Sequence, residues 1–460
     1  MKVTEIPALL SAQKAYFHTG ATHTYQQRID SLKKLRQAVV SHQRSIGDAL
    51  KMDLGKGEFE SYVGEIGYVL GEIDHTLRKL KKWMRPKRVR HPLLHFPGHS
   101  KIQSEPLGSV LIIGPWNYPF QLVISPLVGA IAAGNTAIIK PSEISGNTSQ
   151  AITAMIEDAF DPMEVAIVEG GIPQTSALLE LHFDYIFYTG NGTVGRIVMA
   201  AAAKNLVPVT LELGGKSPCL VFGEGDLEVS ARRIVWGKFF NNGQTCVAPD
   251  YLIVQKDLKE PLLEKIKKTI GEYYGENPAT SQDYGRVING NHYKRLTSLF
   301  SAEQVLFGGQ TEAAENYIAP TLIEADKDSE IMKGEIFGPL LPILEMENFG
   351  QALEHIKNGD KPLAAYLFTS DRELQGRFER EISSGGMCIN DTIVQLSNDC
   401  LPFGGVGESG MGAYHGLASY ETFSHRKAIM VRSTWLDLAL RYPPYIGKLP
   451  IIRTLLKWFG

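Results

Sequence analysis

From Leu107 onward, short runs of apolar, often β-branched residues alternate with helical segments rich in small residues. Parallel strands need a crossover between them, and a parallel sheet is normally covered by helices on both faces. The alternation therefore predicts an α/β fold built on a parallel sheet. The predicted strands are 107–113, 136–139, 164–168, 183–189 and 207–213. The predicted helices between them are 121–133, 146–160, 173–181 and 193–203.

A second α/β stretch begins near Pro218. Its predicted strands lie near 218–222, 251–255, 339–346, 364–368 and 386–390. A glycine-rich loop at 401–412 then leads to a further predicted strand at 425–432. Before the first stretch, residues 25–90 carry apolar positions at helical spacing. At 460 residues without a low-complexity linker, the chain is expected to form two or three closely docked cores.

The composition predicts a cytosolic protein that binds no nucleic acid. The net charge of −3 gives no overall field that would attract nucleic acid or an anionic membrane. The first residues lack the basic and apolar build of a signal peptide, and no uncharged run reaches the ~20 residues that span a bilayer. The cysteines form no C-x-x-C pair or zinc-type cluster, so neither a disulfide scaffold nor structural zinc is predicted. They are Cys219, Cys246, Cys388 and Cys400.

The motif GNGTVG at 190–195 follows a predicted strand and opens a predicted helix. Glycines let the backbone approach a pyrophosphate, and a helix N-terminus supplies N–H donors and positive potential. This context predicts a dinucleotide phosphate site. The alternative is a glycine turn that only joins the strand to the helix.

Glu212 lies in the sequence LELGGK at 211–216, 17 residues after Gly195. A dinucleotide fold places a ribose-binding acid ~20 residues after its phosphate turn, so this role is the first interpretation. The neighbouring glycines suggest a second one, a carboxylate that is accessible to water and acts as a general base. Spacing alone leaves both interpretations open.

Cys246 ends the sequence FFNNGQTC at 239–246, among polar residues and glycine. A single cysteine is most often an inert apolar side chain in a core. A reactive cysteine needs a stabilised thiolate and room for a substrate, and a polar loop favours that alternative. The residue pattern alone does not decide between the two. The other three cysteines show less of this setting and are interpreted as structural or surface thiols.

Two further polar segments follow predicted strands. Asn117 lies in GPWNYP at 114–119, after the first strand, and Lys140 and Glu143 lie after the second. Ligands of open α/β sheets bind at the carboxyl ends of parallel strands, so these side chains could face one crevice. Asn117 could donate its amide N–H to an oxyanion, and its other interpretation is an ordinary turn or helix cap. Exposed Lys and Glu at strand ends are otherwise common.

In this order, the motifs resemble those of the NAD(P)-dependent aldehyde dehydrogenase superfamily. The matching segments are GPWNYP at 114–119, GNTAIIKPSE at 134–143, GNGTVG at 190–195, LELGGKSP at 211–218, FNNGQTC at 240–246, EIFGP at 335–339 and LPFGGVGESGMG at 401–412. The short N-terminal region, the KPSE sequence and RYPP in the tail are similar to the class 3 branch, which handles aliphatic and aromatic aldehydes. The resemblance implies a Rossmann-like parallel-sheet cofactor domain, an α/β catalytic domain and a small β bridging element for oligomerisation.

The resemblance also implies roles for individual residues. It makes Cys246 the nucleophile and Glu212 the general base, so the ribose acid moves to Glu143. Asn117 and the backbone N–H of Cys246 would form the oxyanion hole. The implied cofactor-binding residues are Trp116, Lys140, Glu143, Gly190, Asn191, Gly192, Gly195, Glu335 and Phe337. Asn191 stands where the family often has Ser or Thr, and no metal is implied.

The implied reaction is oxidation of an aldehyde to a carboxylic acid through a thioester on Cys246. Its substrates would be medium or long aliphatic, aromatic or polyene aldehydes. NAD is the expected cofactor because the carboxylate of Glu143 should repel a 2′-phosphate, although class 3 relatives often accept NADP as well. The alternative is reduction of an acyl-phosphate or acyl-CoA, which needs no water-activating residue such as Glu212. A cysteine hydrolase would need a histidine partner, and a non-catalytic relative would not need to keep Cys246, Glu212 and Asn117.

The resemblance divides the chain into parts. These are 1–212 (cofactor-binding domain, with 98–106 in the bridging element), 213–400 (catalytic domain), 401–434 (return to the cofactor domain and bridging strand) and 435–460 (apolar C-terminal tail). As a hypothesis, the segments near 100–106 and 425–432 pair two subunits into a homodimer by extending a sheet between them.

Two segments lie outside these motifs. In the tail, the apolar positions of 451–459 would share one face of a helix, opposite Arg453 and Lys457. They are Ile451, Ile452, Leu455, Leu456 and Phe459. Such a helix is expected to pack on its own protein or a sister subunit, and the alternatives are peripheral contact with a membrane surface or a place at the substrate entrance. Eight Lys and Arg residues between Arg78 and Arg90 are interpreted as a solvated helix end rather than a polyanion site.

Overall fold

The computed structural model describes residues 2–92 and 95–459, except for the side chains of Trp458 and Phe459. Its strands are β1 (Lys87–Val89), β2 (Gly98–Pro106), β3 (Ser109–Ile113), β4 (Thr136–Lys140), β5 (Val165–Ile167), β6 (Tyr185–Thr189), β7 (Val209–Glu212), β8 (Pro218–Val221), β9 (Tyr251–Gln255), β10 (Val305–Phe307), β11 (Thr311–Glu312), β12 (Tyr317–Ile318), β13 (Thr321–Glu324), β14 (Leu340–Met346), β15 (Ala364–Phe368), β16 (Gly386–Ile389), β17 (Gly410–Met411) and β18 (Ser424–Arg432). Its helices are α1 (Ile6–His18), α2 (Tyr25–Leu54), α3 (Glu58–Ser61), α4 (Gly67–Trp83), α5 (Gln121–Ala133), α6 (Gly146–Ala159), α7 (Ile172–Leu179), α8 (Gly192–Lys204), α9 (Leu227–Phe239), α10 (Lys259–Tyr274), α11 (Gly290–Thr297), α12 (Phe349–Lys357), α13 (Arg372–Glu381), α14 (Leu417–Thr422) and α15 (Leu449–Phe459). A five-residue π-helical turn, Tyr62–Ile66, connects α3 to α4.

The first sheet has the strand order β17-β7-β6-β3-β4-β5, in which β17 is antiparallel and the others are parallel. Its central strands β3, β4 and β6 are buried along their whole length, so the sequence shows continuous apolar runs instead of alternation. Helices α2, α4, α5 and α6 pack on one face, and α1, α7 and α8 pack on the other. The predicted α/β fold with a parallel sheet covered on both faces is confirmed.

The second sheet has the order β10-β13-β14-β9-β8-β15-β16 and is parallel except for β10. Helices α9 and α10 pack on one face, and α12 and α13 pack on the other. The five strands predicted for this half are present as β8, β9, β14, β15 and β16. Strands β10 to β13 were not predicted, because they are only two to four residues long and leave no periodic pattern.

A small antiparallel sheet has the order β1-β2-β18. Strand β18 pairs with β2 along its whole length, from Ser424 opposite Pro106 to Arg432 opposite Gly98. The predicted strand at 425–432 is therefore present, and β18 is an edge strand of this sheet. Between the second sheet and β18 the chain returns to the first sheet, where β17 pairs with β7 and α14 packs against α5. The domain boundaries at 212 and 400 stay a prediction.

The tail ends in α15, which confirms the helix predicted at 451–459. Many of its apolar side chains are exposed to solvent, and Ile446 just before the helix is 94% exposed. The exposed apolar residues from 445 onward are Tyr445, Ile446, Leu449, Ile451 and Leu456. The side chain of Phe459, predicted to share their face, lies outside the described residues. Within the described ranges, no helix combines the length and apolarity that crossing a membrane requires.

Candidate active site

The predicted site residues lie at the carboxyl edge of the first sheet. Asn117 follows β3, Lys140 ends β4, the GNGTVG turn follows β6, and Glu212 ends β7. Because β3, β4, β6 and β7 are parallel, their carboxyl ends lie along one edge. Cys246 comes from the second half of the chain, and its loop is joined to this edge because Asn117 Nδ2 donates a hydrogen bond to Gln244 O at 3.0 Å.

The GNGTVG turn leaves backbone N–H groups open at the start of α8. Asn191 caps this helix, since its Oδ1 accepts a hydrogen bond from Val194 N at 2.9 Å. The N–H of Gly192 has no acceptor in the described part of the chain. A side chain at Gly190 would bring its Cβ to 2.2 Å from Tyr188 Oη, so glycine is required there. The turn therefore offers N–H donors at the positive end of a helix, while the side chain of Asn191 is used in the cap.

Lys140 and Glu143 form a pair at the end of β4. Lys140 is buried, and its Nζ donates to Pro141 O at 2.7 Å and to Glu143 Oε2 at 3.2 Å. Burial lowers the pKa of Lys140, an effect that the charge of Glu143 opposes. The side chain of Glu143 is 49% exposed, so its carboxylate is open to a ligand from solvent.

Gly195 brings α8 close to the strand that carries Glu212. A Cβ at Gly195 would lie 2.8 Å from Leu213 Cδ2, so the helix could not keep this distance with a larger residue. Gly214 has a comparable effect on the other side of Leu213. A Cβ there would lie 2.1 Å from Glu335 Oε2, so the absent side chain makes room for this carboxyl group.

The loop before Cys246 has an unusual backbone conformation. Its residues with positive φ are Asn241 (52°), Asn242 (57°) and Gly243 (72°). Asn and Gly adopt this left-handed region at the lowest cost, which explains the NNG sequence. Gln244 ties the loop to the chain beyond it, because its Oε1 accepts from Ile288 N at 2.9 Å and its Nε2 donates to Arg286 O at 2.9 Å. The thiol is therefore carried by a rigid segment.

Asn117 is buried and hydrogen-bonded through both its side chain and its backbone. While its Nδ2 donates to Gln244 O, its backbone O accepts from Asn241 Nδ2 at 2.8 Å and from Lys56 Nζ at 2.9 Å. The second hydrogen of the amide has no acceptor among residues 2–92 and 95–459. Asn117 is thus held in place with one N–H to offer.

Two carboxyl groups influence the thiol of Cys246. Burial raises the pKa of Cys246, and the charges of Glu335 and Glu212 raise it further. Burial also raises the pKa of Glu212 well above its ordinary value. The pKa of Glu335 rises to about 8, chiefly through burial and then through Asp250.

The structure does not confirm the predicted access of water to Glu212. This residue is 2% exposed, and neither of its carboxyl oxygens has a hydrogen-bond partner in the described structure. Strand β17, from the C-terminal part of the chain, pairs with β7 at this position, where Gly410 lies opposite Glu212. A buried carboxyl without a partner costs free energy, so a structural role does not account for it.

Aromatic residues connect the GPWNYP and EIFGP segments. The rings of Trp116 and Phe337 pack edge to face with centroids 5.3 Å apart, and Trp116 also contacts the ring of His292 at 4.9 Å. Phe337 has a φ of 54°, an uncommon conformation for a large side chain. These two predicted cofactor residues therefore lie together, and Phe337 follows Glu335 by two positions in the EIFGP segment.

Cys246 lies against an apolar wall of the second half of the chain. It packs on a hydrophobic cluster that contains large aromatic and aliphatic side chains. Members of this cluster, or residues packed against it, include Tyr118, Leu122, Trp236, Phe240, Ile393 and Phe403. The thiol therefore borders an apolar cluster, while the loop that carries it is hydrogen-bonded.

The sequence analysis missed residues of the N-terminal helical region that contact the site. Besides Lys56, Glu65 accepts hydrogen bonds from Phe120 N at 2.9 Å and Gln121 N at 3.2 Å, just after Asn117. Glu60 accepts from Asn241 N at 3.0 Å, in the loop before the thiol. No local signal marked these residues, because Lys and Glu are the usual residues of a solvated helical surface.

Comparison with known proteins agrees with the motifs. Residues 2–429 match the Aldehyde dehydrogenase family. A 4,4'-diaponeurosporen-aldehyde dehydrogenase of Staphylococcus aureus is 48% identical over 96% of this chain and 97% of the relative. Aldehyde dehydrogenase family 3 member H1 of Arabidopsis thaliana is 46% identical over 98% and 95%, and a dimeric, NADP-preferring aldehyde dehydrogenase of Canis lupus familiaris is 45% identical over 97% and 99%.

A solved structure has nearly the same fold. The substrate-bound state of Staphylococcus aureus AldH superposes with a TM-score of 0.97 at 47% identity, over 98% of this chain and 99% of that one. The predicted resemblance, with its class 3 branch, is confirmed. The chain belongs to the aldehyde dehydrogenase family, and it is an NAD(P)-dependent enzyme that oxidises aldehydes to carboxylic acids.

Proposed function

We propose that, in this oxidation, Cys246 is the nucleophile, Asn117 an oxyanion donor and Glu212 the general base. One observation carries the proposal. The rigid cysteine loop is hydrogen-bonded to Asn117, and the carboxyl of Glu212, which lacks a hydrogen-bond partner in the described residues, is close enough to raise the pKa of the thiol.

The reaction proceeds in two parts. As a thiolate, Cys246 attacks the aldehyde carbon, and the carbonyl electrons move to oxygen. The oxyanion accepts hydrogen bonds from Asn117 Nδ2 and the backbone N–H of Cys246, a stabilisation of about 3–4 kcal/mol. A bound NAD(P), held by the residues at the carboxyl edge, would supply the acceptor for the hydride that leaves this carbon. Cys246 then holds a thioester; Glu212 takes a proton from water, the water oxygen bonds to the thioester carbon, and the C–S bond breaks to release the acid.

The raised pKa of Glu212 suits this role. A carboxylate with an ordinary pKa is a weak base at neutral pH, whereas burial makes Glu212 a stronger proton acceptor. The same burial removes competing donors, so the carboxylate has no partner in the described structure other than an incoming water. The predicted general base is therefore supported by its burial rather than by an open position.

The residues at the carboxyl edge fit a dinucleotide. The open N–H of Gly192 at the N-terminus of α8 suits the pyrophosphate, and the missing side chain of Gly190 keeps the turn tight. Lys140 and Glu143 would hold the adenosine ribose. At the other end, Glu335 would hold the nicotinamide ribose. Of the remaining predicted cofactor residues, Trp116 and Phe337 pack on each other, while Asn191 and Gly195 shape the turn.

We further propose that NAD is preferred over NADP. The half-exposed carboxylate of Glu143 would accept hydrogen bonds from a ribose diol and repel a 2′-phosphate. We propose that NADP is also accepted, because the exposed side chain of Glu143 can rotate away from a 2′-phosphate. The ratio of kcat/KM for the two cofactors tests it, and equal values would contradict the preference.

The proposed substrates are medium-chain, long-chain, aromatic or polyene aldehydes. Cys246 packs on a hydrophobic cluster that includes Phe240 and on which Trp236 and Phe403 also pack, and this favours an apolar substrate over a hydrophilic one. The Staphylococcus aureus relative acts on a polyene aldehyde according to its name, which agrees with this class. Activity that fell with increasing chain length from acetaldehyde upward would contradict the proposal.

The chain is also proposed to form a homodimer in the cytoplasm through the sheet β1-β2-β18. Strand β18 is an edge strand whose Met430 and Val431 are exposed, and the related canine protein is described as dimeric. A stable monomer at micromolar concentration in sedimentation would contradict this. The apolar tail is proposed to contact the sister subunit, the substrate entrance or a membrane surface. Deletion of 446–460 without a change in assembly, in KM for long aldehydes or in recovery with membranes would contradict all three.

The proposed residues are tested by NADH formation at 340 nm with a panel of aldehydes. Wild-type protein is compared with Cys246→Ala and Glu212→Gln. We expect no NADH from the first variant and, from the second, a burst of about one NADH per subunit followed by slow turnover, because the thioester forms but is not hydrolysed. If Glu212→Gln turned over normally, another group would be the base. If the wild type acted only on activated acyl donors with NADPH, the reductase alternative would replace the proposal.

A further inference from the structure

Lys56 and Glu65 form a buried ion pair below the proposed oxyanion donor. Lys56 is 1% exposed and Glu65 is 0% exposed, and the two side chains contact each other directly. Lys56 follows Gly55, whose left-handed conformation ends α2, and Glu65 lies in the π-helical turn Tyr62–Ile66. Such turns are rare and often lie at functional sites.

The pair holds both ends of the segment 117–121. Lys56 Nζ donates to Asn117 O at 2.9 Å and lies 4.1 Å from the centre of the Tyr118 ring. Glu65 Oε2 accepts from the backbone N–H groups of Phe120 and Gln121 where α5 begins. The peptide that carries Asn117 is therefore fixed on both sides by groups that cannot move without breaking an ion pair.

A buried ion pair is a weak means of stabilising a fold. Removing two charges from water costs free energy that their attraction often does not recover, and apolar replacements are often as stable. Here each charged group also forms hydrogen bonds with backbone groups of the single segment 117–121. This geometry indicates that the pair positions that segment.

We propose that the Lys56–Glu65 pair positions Asn117 for oxyanion binding, an inference that rests on the proposed role of Asn117. The pair orients the Asn117 peptide, so that its side-chain amide keeps one N–H on Gln244 O and directs the other at the oxyanion. The ammonium group of Lys56, bonded to the carbonyl of the same residue, also places positive charge behind that amide. Lys56 and Glu65 are positioning residues, because they act through Asn117 and do not touch the substrate.

The inference is tested on the full-length protein by two reactions of Cys246 that need no cofactor. Acylation by p-nitrophenyl acetate forms an oxyanion, whereas alkylation by iodoacetamide does not. We expect the double variant Lys56→Met with Glu65→Gln, which buries no unpaired charge, to acylate about 10- to 100-fold more slowly and to alkylate within about threefold of wild type. If the single variants Lys56→Met and Glu65→Gln fail to fold, the double variant still carries the test.

A double-mutant cycle with Asn117→Ala separates positioning from a general loss of structure. Where Asn117 is already Ala, the Lys56–Glu65 replacement should slow acylation no further, because its effect passes through the missing amide. Additive losses, or an equal loss of alkylation, would overturn the inference. Normal acylation by the Lys56–Glu65 variant while Asn117→Ala is slow would overturn it and leave the proposed oxyanion donor intact. Normal acylation by Asn117→Ala would overturn both.

Lys34→Met is the matched control. Lys34 lies on α2, the helix that ends just before Lys56, and it also pairs with a glutamate, Glu164, but this glutamate precedes β5, at the opposite end of the sheet strands from Asn117. The control should acylate and alkylate at wild-type rates. A loss of acylation in Lys34→Met as large as that in the Lys56–Glu65 variant would show that ion pairs of this helical region contribute only stability, and would overturn the inference.

Discussion

The cofactor side and the thiol side of the site use polar groups in opposite ways. On the cofactor side, Glu143 is half exposed, and the N–H of Gly192 has no protein acceptor in the described ranges. On the thiol side, Asn117 and Gln244 are buried and hydrogen-bonded to neighbouring loops. The first region is arranged to exchange hydrogen bonds with a ligand that comes and goes: the N–H of Gly192 can donate one, and the carboxylate of Glu143 can accept one. The second is assembled before any ligand arrives, as stabilisation of a developing charge requires.

Glu143 and Glu212 differ in the same way, although they are the same type of residue. Glu143 lies at the surface beside Lys140, whereas Glu212 is enclosed and its pKa is raised well above the ordinary value by burial. The difference teaches that burial, rather than the type of amino acid, separates the two proposed roles, a ligand for ribose and a general base. Both glutamates lie at the carboxyl end of a strand of the same sheet.

The largest effect is expected from Cys246→Ser on the thiol side. Serine keeps the size of the side chain but is far less acidic, so NADH formation should fall by about 10⁴-fold or more. Cofactor binding, measured by fluorescence titration with NADH, should stay within about threefold. A variant that lost cofactor affinity to a similar degree would show that the two regions are not separate.

Asn117→Ala is expected to have the next largest effect. Loss of one preorganised donor should lower kcat by about 10²- to 10³-fold, with little change in KM for the aldehyde. Steady-state kinetics with a soluble aromatic aldehyde measures both constants. A rise in KM with an unchanged kcat would instead assign Asn117 to substrate binding.

Sequence patterns predicted the first sheet well, because strands buried on both faces leave continuous apolar runs such as that of Ser109–Ile113. They also predicted the residues of the cofactor edge, which lie in short motifs next to strand ends. They did not predict the burial of Glu212, because burial depends on parts of the chain that are distant in sequence; β17, for example, pairs with β7 from about 200 residues further along. For the same reason they missed Lys56 and Glu65, whose partners at 117–121 are distant in sequence.

Glu143→Gln tests the cofactor side of the site through the preference for NAD over NADP. Without the carboxylate, repulsion of a 2′-phosphate is removed, and the ratio of kcat/KM for NADP over NAD should rise about 10-fold. The rate of acylation by p-nitrophenyl acetate should not change, which serves as the internal control. An unchanged cofactor ratio would mean that Glu143 does not face the ribose.

The smallest effect concerns stability and a buried glutamate outside both regions. Burial is the largest cause that raises the pKa of Glu72 to about 7, whereas its pKa in an unfolded chain is about 4.3. Because the folded pKa is raised, the stability contribution is complete below about pH 4.3 and is lost as pH rises towards 7. The melting temperature of the wild type should therefore fall between pH 5 and 7.5. In Glu72→Gln, which has no carboxyl group at this position, the fall should be smaller by about 2 °C. If the melting temperatures of the two proteins fell equally with pH, the loss of stability could not be assigned to Glu72.

The return of β17 and α14 to the first sheet has a consequence for how the chain is made. The N-terminal half of the polypeptide includes the central strands of that sheet, but its edge strand β17 and the helix that packs on α5 come from residues 410–422. A nascent chain emerging from the ribosome therefore carries an open edge at β7 until nearly the whole protein has been synthesised. Fragments that stop near 212 should aggregate, and binding of a chaperone to β7 during translation would protect the strand that ends in Glu212, the proposed base.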